Sequence, residues 1–217
     1  MKVRHAINLH KALVIPVVLA MMLIYHNFTM GPVIYLSLHG TYSLLWLIKD
    51  RLYPDRRFSQ ELPVLIGLFF VFVPLMSYWV ASFILISRHL NVPLWLVGVA
   101  VSTYIVGVFL HYVSDAQKYF TLQLRKGLIT DGLFGLTRNP NYLGEIMIYL
   151  AFAMLAQHWL PFLILGMWTF GFFLRNMWVK DRSLSRYPEF PAYKMKSGLL
   201  IPKLFRNERV SVKGATE

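Results

Sequence analysis

The sequence predicts an all-α, polytopic membrane bundle of about six transmembrane helices with both termini cytoplasmic, and three observations predict it. Of the 217 residues, 57% are hydrophobic and only 15% charged, against about 25% charged in a soluble globular chain. The apolar residues gather into stretches long enough to cross a hydrocarbon core about 30 Å thick. The basic residues fall in alternate connections between those stretches, as orientation in a membrane requires.

Taken in order, Ala12 to Tyr25 forms the first span. It follows the basic segment Met1 to Lys11, and the lack of a small-residue cleavage site near His26 reads as a retained anchor rather than a signal peptide. Pro32 to Ile48 follows the Gly31-Pro32 break, and Leu62 to Ile86 follows Tyr53-Pro54-Asp55. Pro93 to Tyr112 begins after Asn91-Val92, Asn141 to Ala156 after Asn139-Pro140, and Leu160 to Trp178 closes the set. The first and fifth are short for a span, which a thin bilayer or an earlier start would accommodate. Residues 206–217 are polar without an apolar period, and a disordered cytoplasmic tail is expected there.

Of the 22 Lys and Arg, every one but Arg88 falls before the first span, after the second, after the fourth, or in the C-terminal segment. The positive-inside rule puts that side in the cytoplasm. The formal charge of +12 is then accounted for by topology and by anionic lipid headgroups, so no nucleic-acid partner is called for. The chain has no cysteine, which excludes disulfides, thiolate chemistry and cysteine metal ligands, and no metal site is expected.

Function is sought in polar groups that a membrane disfavours, because such groups usually face a cavity or a partner. In Arg138-Asn139-Pro140-Asn141-Tyr142-Leu143-Gly144-Glu145, Pro140 suits the first turn of a helix. Asn141 and Glu145, four apart, then share one face. An amide and a carboxylate so placed could hydrogen-bond a ribose, amide or amine, with Arg138 at the mouth for a phosphate or carboxylate. They could equally form an interhelical clamp, with Arg138 snorkelling to headgroups.

His111, Asp115, Lys118 and Arg125 fall on one broad helical face, which could hold the polar half of a nucleotide or lie solvated at the interface. The cationic, aromatic stretch Arg175 to Pro202 could rest on anionic lipid or fold back as a lid over a cofactor. His39 and Tyr42, helix neighbours three apart, and Glu61 could deliver a proton to a lipophilic substrate, or could pack and cap helices.

Ser114-Asp115 with Gln117-Lys118, Gly132-Leu133-Phe134, Arg138 to Glu145, Tyr193 and Ile201-Pro202 together resemble the C-terminal half of the steroid 5-alpha-reductase-like superfamily, over about His111 to Phe205. The resemblance implies residues 1–110 as substrate-side transmembrane helices and 111–205 as a cofactor-binding half. It implies NADPH bound from the cytoplasm and reduction of a carbon-carbon double bond in a steroid, sterol, isoprenoid or fatty substrate. Asp115, Lys118, Arg125, Arg138, Asn141, Tyr142, Glu145, Asp181 and Tyr193 would contact the cofactor, with Tyr42 and Glu61 as candidate catalytic residues. Arg138, Pro140 and Tyr142 are also similar to the proline-centred element of the isoprenylcysteine carboxyl methyltransferases, which would imply S-adenosylmethionine instead. A third expectation is a lipid-binding protein that keeps the fold without catalysis.

Overall fold

The computed structural model describes residues 1–203; the expected tail at 206–217 lies outside them. Helices dominate the described residues: α1 (Val3–Ile24), α2 (Met30–Leu52), α3 (Val64–Ser87), α4 (Leu94–Leu124), α5 (Pro140–Ala156), α6 (Trp159–Leu184) and a short α7 (Phe190–Lys196). No strand occurs among these residues, only isolated bridges pairing Lys2 with Glu61 and Thr137 with Gly198. Four helices, α1, α3, α4 and α6, are long and apolar enough to cross a membrane, and the chain is a multi-pass membrane protein. Large apolar side chains such as Leu65, Phe69, Phe70 and Phe170 are exposed around its girth, as contact with lipid tails requires.

The other two expected spans are helices of a different character. α5 is apolar but only 17 residues long. α2 carries His39, Tyr42, Ser43 and Lys49, all buried, so its polarity is directed inward. The first span's helix begins at Val3 rather than Ala12, and its N-terminus is clipped to the approach to α3. Val3 N–H donates to Gln60 O at 3.0 Å and Leu62 N–H to Met1 O at 2.8 Å.

At one end of the bundle three tight connections meet. Each passes through a left-handed residue, His26, His89 or Gln157. Asn27 Nδ2 donates to Ile86 O at 2.8 Å, and Gln157 Nε2 donates to Asn91 O at 3.1 Å. The first satisfies a carbonyl that the end of α3 leaves open, and the second ties the connection between α3 and α4 to the end of α5.

α4 and α5 form the closest helix pair, crossing where Gly107 meets Gly144. Small residues let two backbones approach in this way. Around the crossing pack the fully buried Val14, Tyr35, Tyr42, Ile148 and Phe152. α4 continues well past its apolar part, carrying Asp115 and Lys118 on a continuous helix to Leu124. Two wide turns interrupt the regular pitch, Leu68–Phe72 in α3 and Trp168–Phe173 in α6. Such π turns recur at functional sites.

Candidate active site

Both wide turns border one chamber. Its volume is about 490 Å³, and its walls include Ile7 of α1, Phe70, Val71 and Leu75 of α3, and Trp168, Phe172 and Phe173 of α6. A second recess of about 420 Å³ adjoins it, lined by Arg4, Lys49, Tyr53, Arg56, Arg57, Lys118 and Tyr119 with Asp55 and Asp115. Lys49, Asp55, Arg57 and Asp115 belong to both linings. The recess is rich in cations and the chamber is mostly apolar, so the two compartments differ in the chemistry they admit.

Asn141, Tyr142 and Glu145, on the first turns of α5, all line the chamber. Pro140 starts this helix at the position where a missing amide costs nothing. His111 of α4 also lines the chamber, and its Nδ1 donates to Asn141 O at 3.1 Å. Tyr142 Oη accepts from Arg57 Nη1 at 3.4 Å. The sequence-predicted amide and carboxylate therefore face a cavity, next to the buried seam between α4 and α5.

Deeper in the same chamber lies a lysine that the sequence places with the basic N-terminal tail. Lys11 is 3% exposed. Its Nζ donates to Tyr149 Oη at 3.1 Å and sits 4.1 Å from the centre of the Tyr42 ring and 5.5 Å from that of Trp46. Tyr78 stacks on Tyr149 with ring centres 3.6 Å apart. Both phenols line the chamber, and Tyr78 Oη has no hydrogen-bond partner among the described residues.

At the junction, Lys49 and Asp115 form an ion pair of 2.7 Å, with 4% and 10% of their side chains exposed. Above it Asp55 accepts from Lys118 Nζ at 3.3 Å and from Arg57 Nη2 at 3.1 Å. Burial opposes ionisation of Asp55, but the charges of Lys118 and Arg57 outweigh it and hold the carboxyl well below the usual carboxylate range.

Other predicted residues stand elsewhere. Arg138 is buried, and its guanidinium is committed to the chain's own groups: Nε donates to both Asp181 oxygens at 3.1 Å, and Nη1 donates to Ser197 O at 2.6 Å. Arg138 and Asp181 thus fasten the C-terminal segment instead of lining either compartment. Tyr193 joins the same fastening by donating to Phe134 O at 2.8 Å, and burial pushes its hydroxyl up to about 12. Arg125 is exposed and paired with Asp131 at 3.0 Å. Glu61 is exposed and held in the backbone clip with Lys2, whereas Tyr42 is fully buried. The described residues show no contact between this pair: Glu61 is tied to Lys2 at the start of α1, while Tyr42 packs against His111, Tyr112 and Tyr149.

Lys11, Lys49, Tyr78 and Tyr149 line the chamber as well, though nothing in their sequence context sets them apart from membrane flanks and ordinary span residues, save that Tyr149 stands four residues after Glu145 on α5.

Comparison with known proteins adds a family. Residues 36–196 match the family described as "Protein of unknown function (DUF1295)". A stretch of 56 residues, 26% of this chain, is 39% identical to an uncharacterized protein of Schizosaccharomyces pombe, of which it covers 19%.

Proposed function

Because the chain belongs to the DUF1295 family, we propose from that premise and from its two-part cavity that it is an integral membrane reductase, using NADPH to saturate a carbon-carbon double bond in a lipophilic substrate. One observation carries the reading: the cationic recess and the apolar chamber share Lys49, Asp55, Arg57 and Asp115. A ligand with phosphates at one end and a reactive group at the other can meet a lipid only across such a junction.

The donor set fits the dinucleotide. Arg4, Arg56 and Lys118 supply cations for phosphates in the recess, in place of Arg125 and Arg138. Tyr53 and Tyr119 offer aromatic faces there, and Asn141 and Glu145 offer an amide and a carboxylate where the chamber begins. When bound, NADPH supplies hydride. The apolar walls hold the lipid and exclude water, which strengthens every polar contact at the reacting carbon. The resemblance of the segment from Asp115 to Glu145 to the steroid 5-alpha-reductase-like superfamily supports the same reading. S-adenosylmethionine, without phosphates, would leave the excess of recess cations unused.

The test is ligand-dependent stability of the detergent-solubilised protein. NADPH binding only the folded state raises the thermal midpoint by mass action. Glu145→Gln and Asn141→Ala each weaken that shift by roughly 1–3 kcal/mol of binding, the scale of one buried polar partner lost, and the double variant loses less than the sum. A rise with S-adenosylmethionine and none with NADPH makes the protein a methyltransferase, and a rise with neither favours lipid binding without catalysis.

A further inference from the structure

The last turns of α6 carry two opposite faces. On the inner one Phe173 packs on Tyr142 with ring centres 5.1 Å apart, Met177 is fully buried, and Lys180 Nζ donates to Arg138 O at 2.7 Å and to Asn139 Oδ1 at 3.1 Å. On the outer one Arg175, Trp178, Val179 and Arg182 recur at the three- and four-residue spacing of a single helix face. All are exposed, Trp178 at 60% and Val179 at 62%, and none of them lines the chamber or the recess.

Helix length gives that outer face a defined depth. Trp159 opens α6 and is 66% exposed; at 1.5 Å per residue, Trp178 stands roughly 28 Å further along. That separation matches a hydrocarbon core of about 30 Å, and tryptophans concentrate at its two interfaces. Trp178 therefore lies at headgroup level on the side of α7. Arg175, one turn nearer the apolar core, returns to the same level by extending its aliphatic stem, and Arg182 stands one turn beyond. Guanidiniums on either side of an indole suit a phosphodiester, which each can hold through paired N–H groups.

We propose that this face is a binding site for an anionic phospholipid of the adjoining leaflet, with Arg175 and Arg182 on the headgroup and Trp178 and Val179 against the upper part of an acyl chain. Charge identifies the occupant. Between residues 175 and 203, Lys194, Lys196 and Lys203 are exposed as well, and the exposed carboxylate is that of Glu189. The turn after α7 repeats the mixture of charge and apolar surface: Met195 and Ile201 are 66% and 72% exposed, and Lys203 Nζ donates to Met195 O at 2.9 Å. A free phosphate would satisfy the cations and leave these apolar side chains in water, whereas a lipid surface covers both.

Both faces belong to one helix, so occupancy of the outer face acts on the inner one. A lipid held between Arg175 and Arg182 keeps these turns helical, and Lys180 and Asp181 then stay on Asn139 and Arg138 at the start of α5. Anionic lipid is thus a stabilising ligand of the C-terminal segment, by the mass action of any ligand that binds the folded state. No nucleotide takes part, so the site stands or falls independently of the reductase reading.

The full chain in detergent, with Val179→Cys as its single cysteine and an environment-sensitive dye attached there, tests the site. Short-chain phosphatidylglycerol shifts the emission to the blue and saturates at a concentration at least about tenfold below that for phosphatidylcholine, the scale of two cations near a lipid surface. Arg175→Gln combined with Arg182→Gln brings the two lipids within about twofold of each other. The thermal midpoint of that variant without added lipid is unchanged, because both side chains are exposed. In the unlabelled wild type, phosphatidylglycerol raises the midpoint and slows proteolysis between Leu184 and Ser197, and inorganic phosphate does neither. Equal binding of the two lipids, a preference undiminished in the double variant, or the same protection from inorganic phosphate overturns the proposal. A preference without any rise in the midpoint overturns the coupling between the two faces.

Discussion

Gly107 of α4 and Gly144 of α5 meet backbone to backbone: a methyl group added to Gly144 would lie 2.5 Å from Gly107 O and 2.5 Å from His111 N. Neither backbone can yield without moving a helix. Gly144→Ala therefore destabilises the protein by roughly 1–3 kcal/mol, the usual cost of overpacking. Because Asn141 and His111 share this seam, nucleotide affinity falls with it. Thermal unfolding and a NADPH titration on the same preparation check both outcomes.

Arg138 and Asp181 test fastening against phosphate binding. Arg138→Ala leaves a nearly buried carboxylate without its cation, a loss of roughly 3–5 kcal/mol for a buried pair. Protease should then cut between Leu184 and Ser197 in the variant before the wild type. The folded fraction keeps its NADPH affinity, since the guanidinium points to Asp181 and Ser197.

Asp55 gives a pH signature. Its folded carboxyl is held below the usual range, chiefly by Lys118 and Arg57 acting against burial. The ion pairs therefore stabilise the protein fully above the unfolded value of about 3.9. That stability is lost as pH falls from there through the lower folded value. The thermal midpoint of wild type minus that of Asp55→Asn should be constant at neutral pH and shrink in acid. A difference that grows in acid contradicts the assignment.

Orientation can be read by labelling. The chain has no cysteine, so a single introduced cysteine reports alone. Cysteines at Met30, Asn91 and His158 should react together with an impermeant reagent applied to the face opposite the cytoplasm. Those at Arg57 and Gly127 should react only after the membrane is opened. Any exchange between the two groups would redraw the topology.

The helices and their breaks were legible because hydropathy and proline are local signals. Asn141 and Glu145 were legible as a pair because four residues make one helical turn, and both do face the chamber. The fate of Arg138 was not legible: a charge at a helix mouth looks the same whether it awaits a phosphate or an aspartate 43 residues away. Lys11 was hidden for a related reason. It closes a basic segment that reads as a membrane flank, whereas α1 already begins at Val3 and carries this lysine inside as a buried residue.

The wide turn at Trp168–Phe173 acts on the helix as an extra letter acts on a line of text. One inserted residue rotates everything beyond it by roughly 100°, since a regular helix has 3.6 residues per turn. Asp181 meets Arg138 in that shifted phase. Removing a single residue from the turn would leave the composition of α6 almost untouched, yet it would swing Asp181 about a quarter turn from its partner and uncouple the C-terminal segment from the mouth of α5. Chain length within 168–173 is thus under tighter constraint than the identity of any one of its exposed side chains.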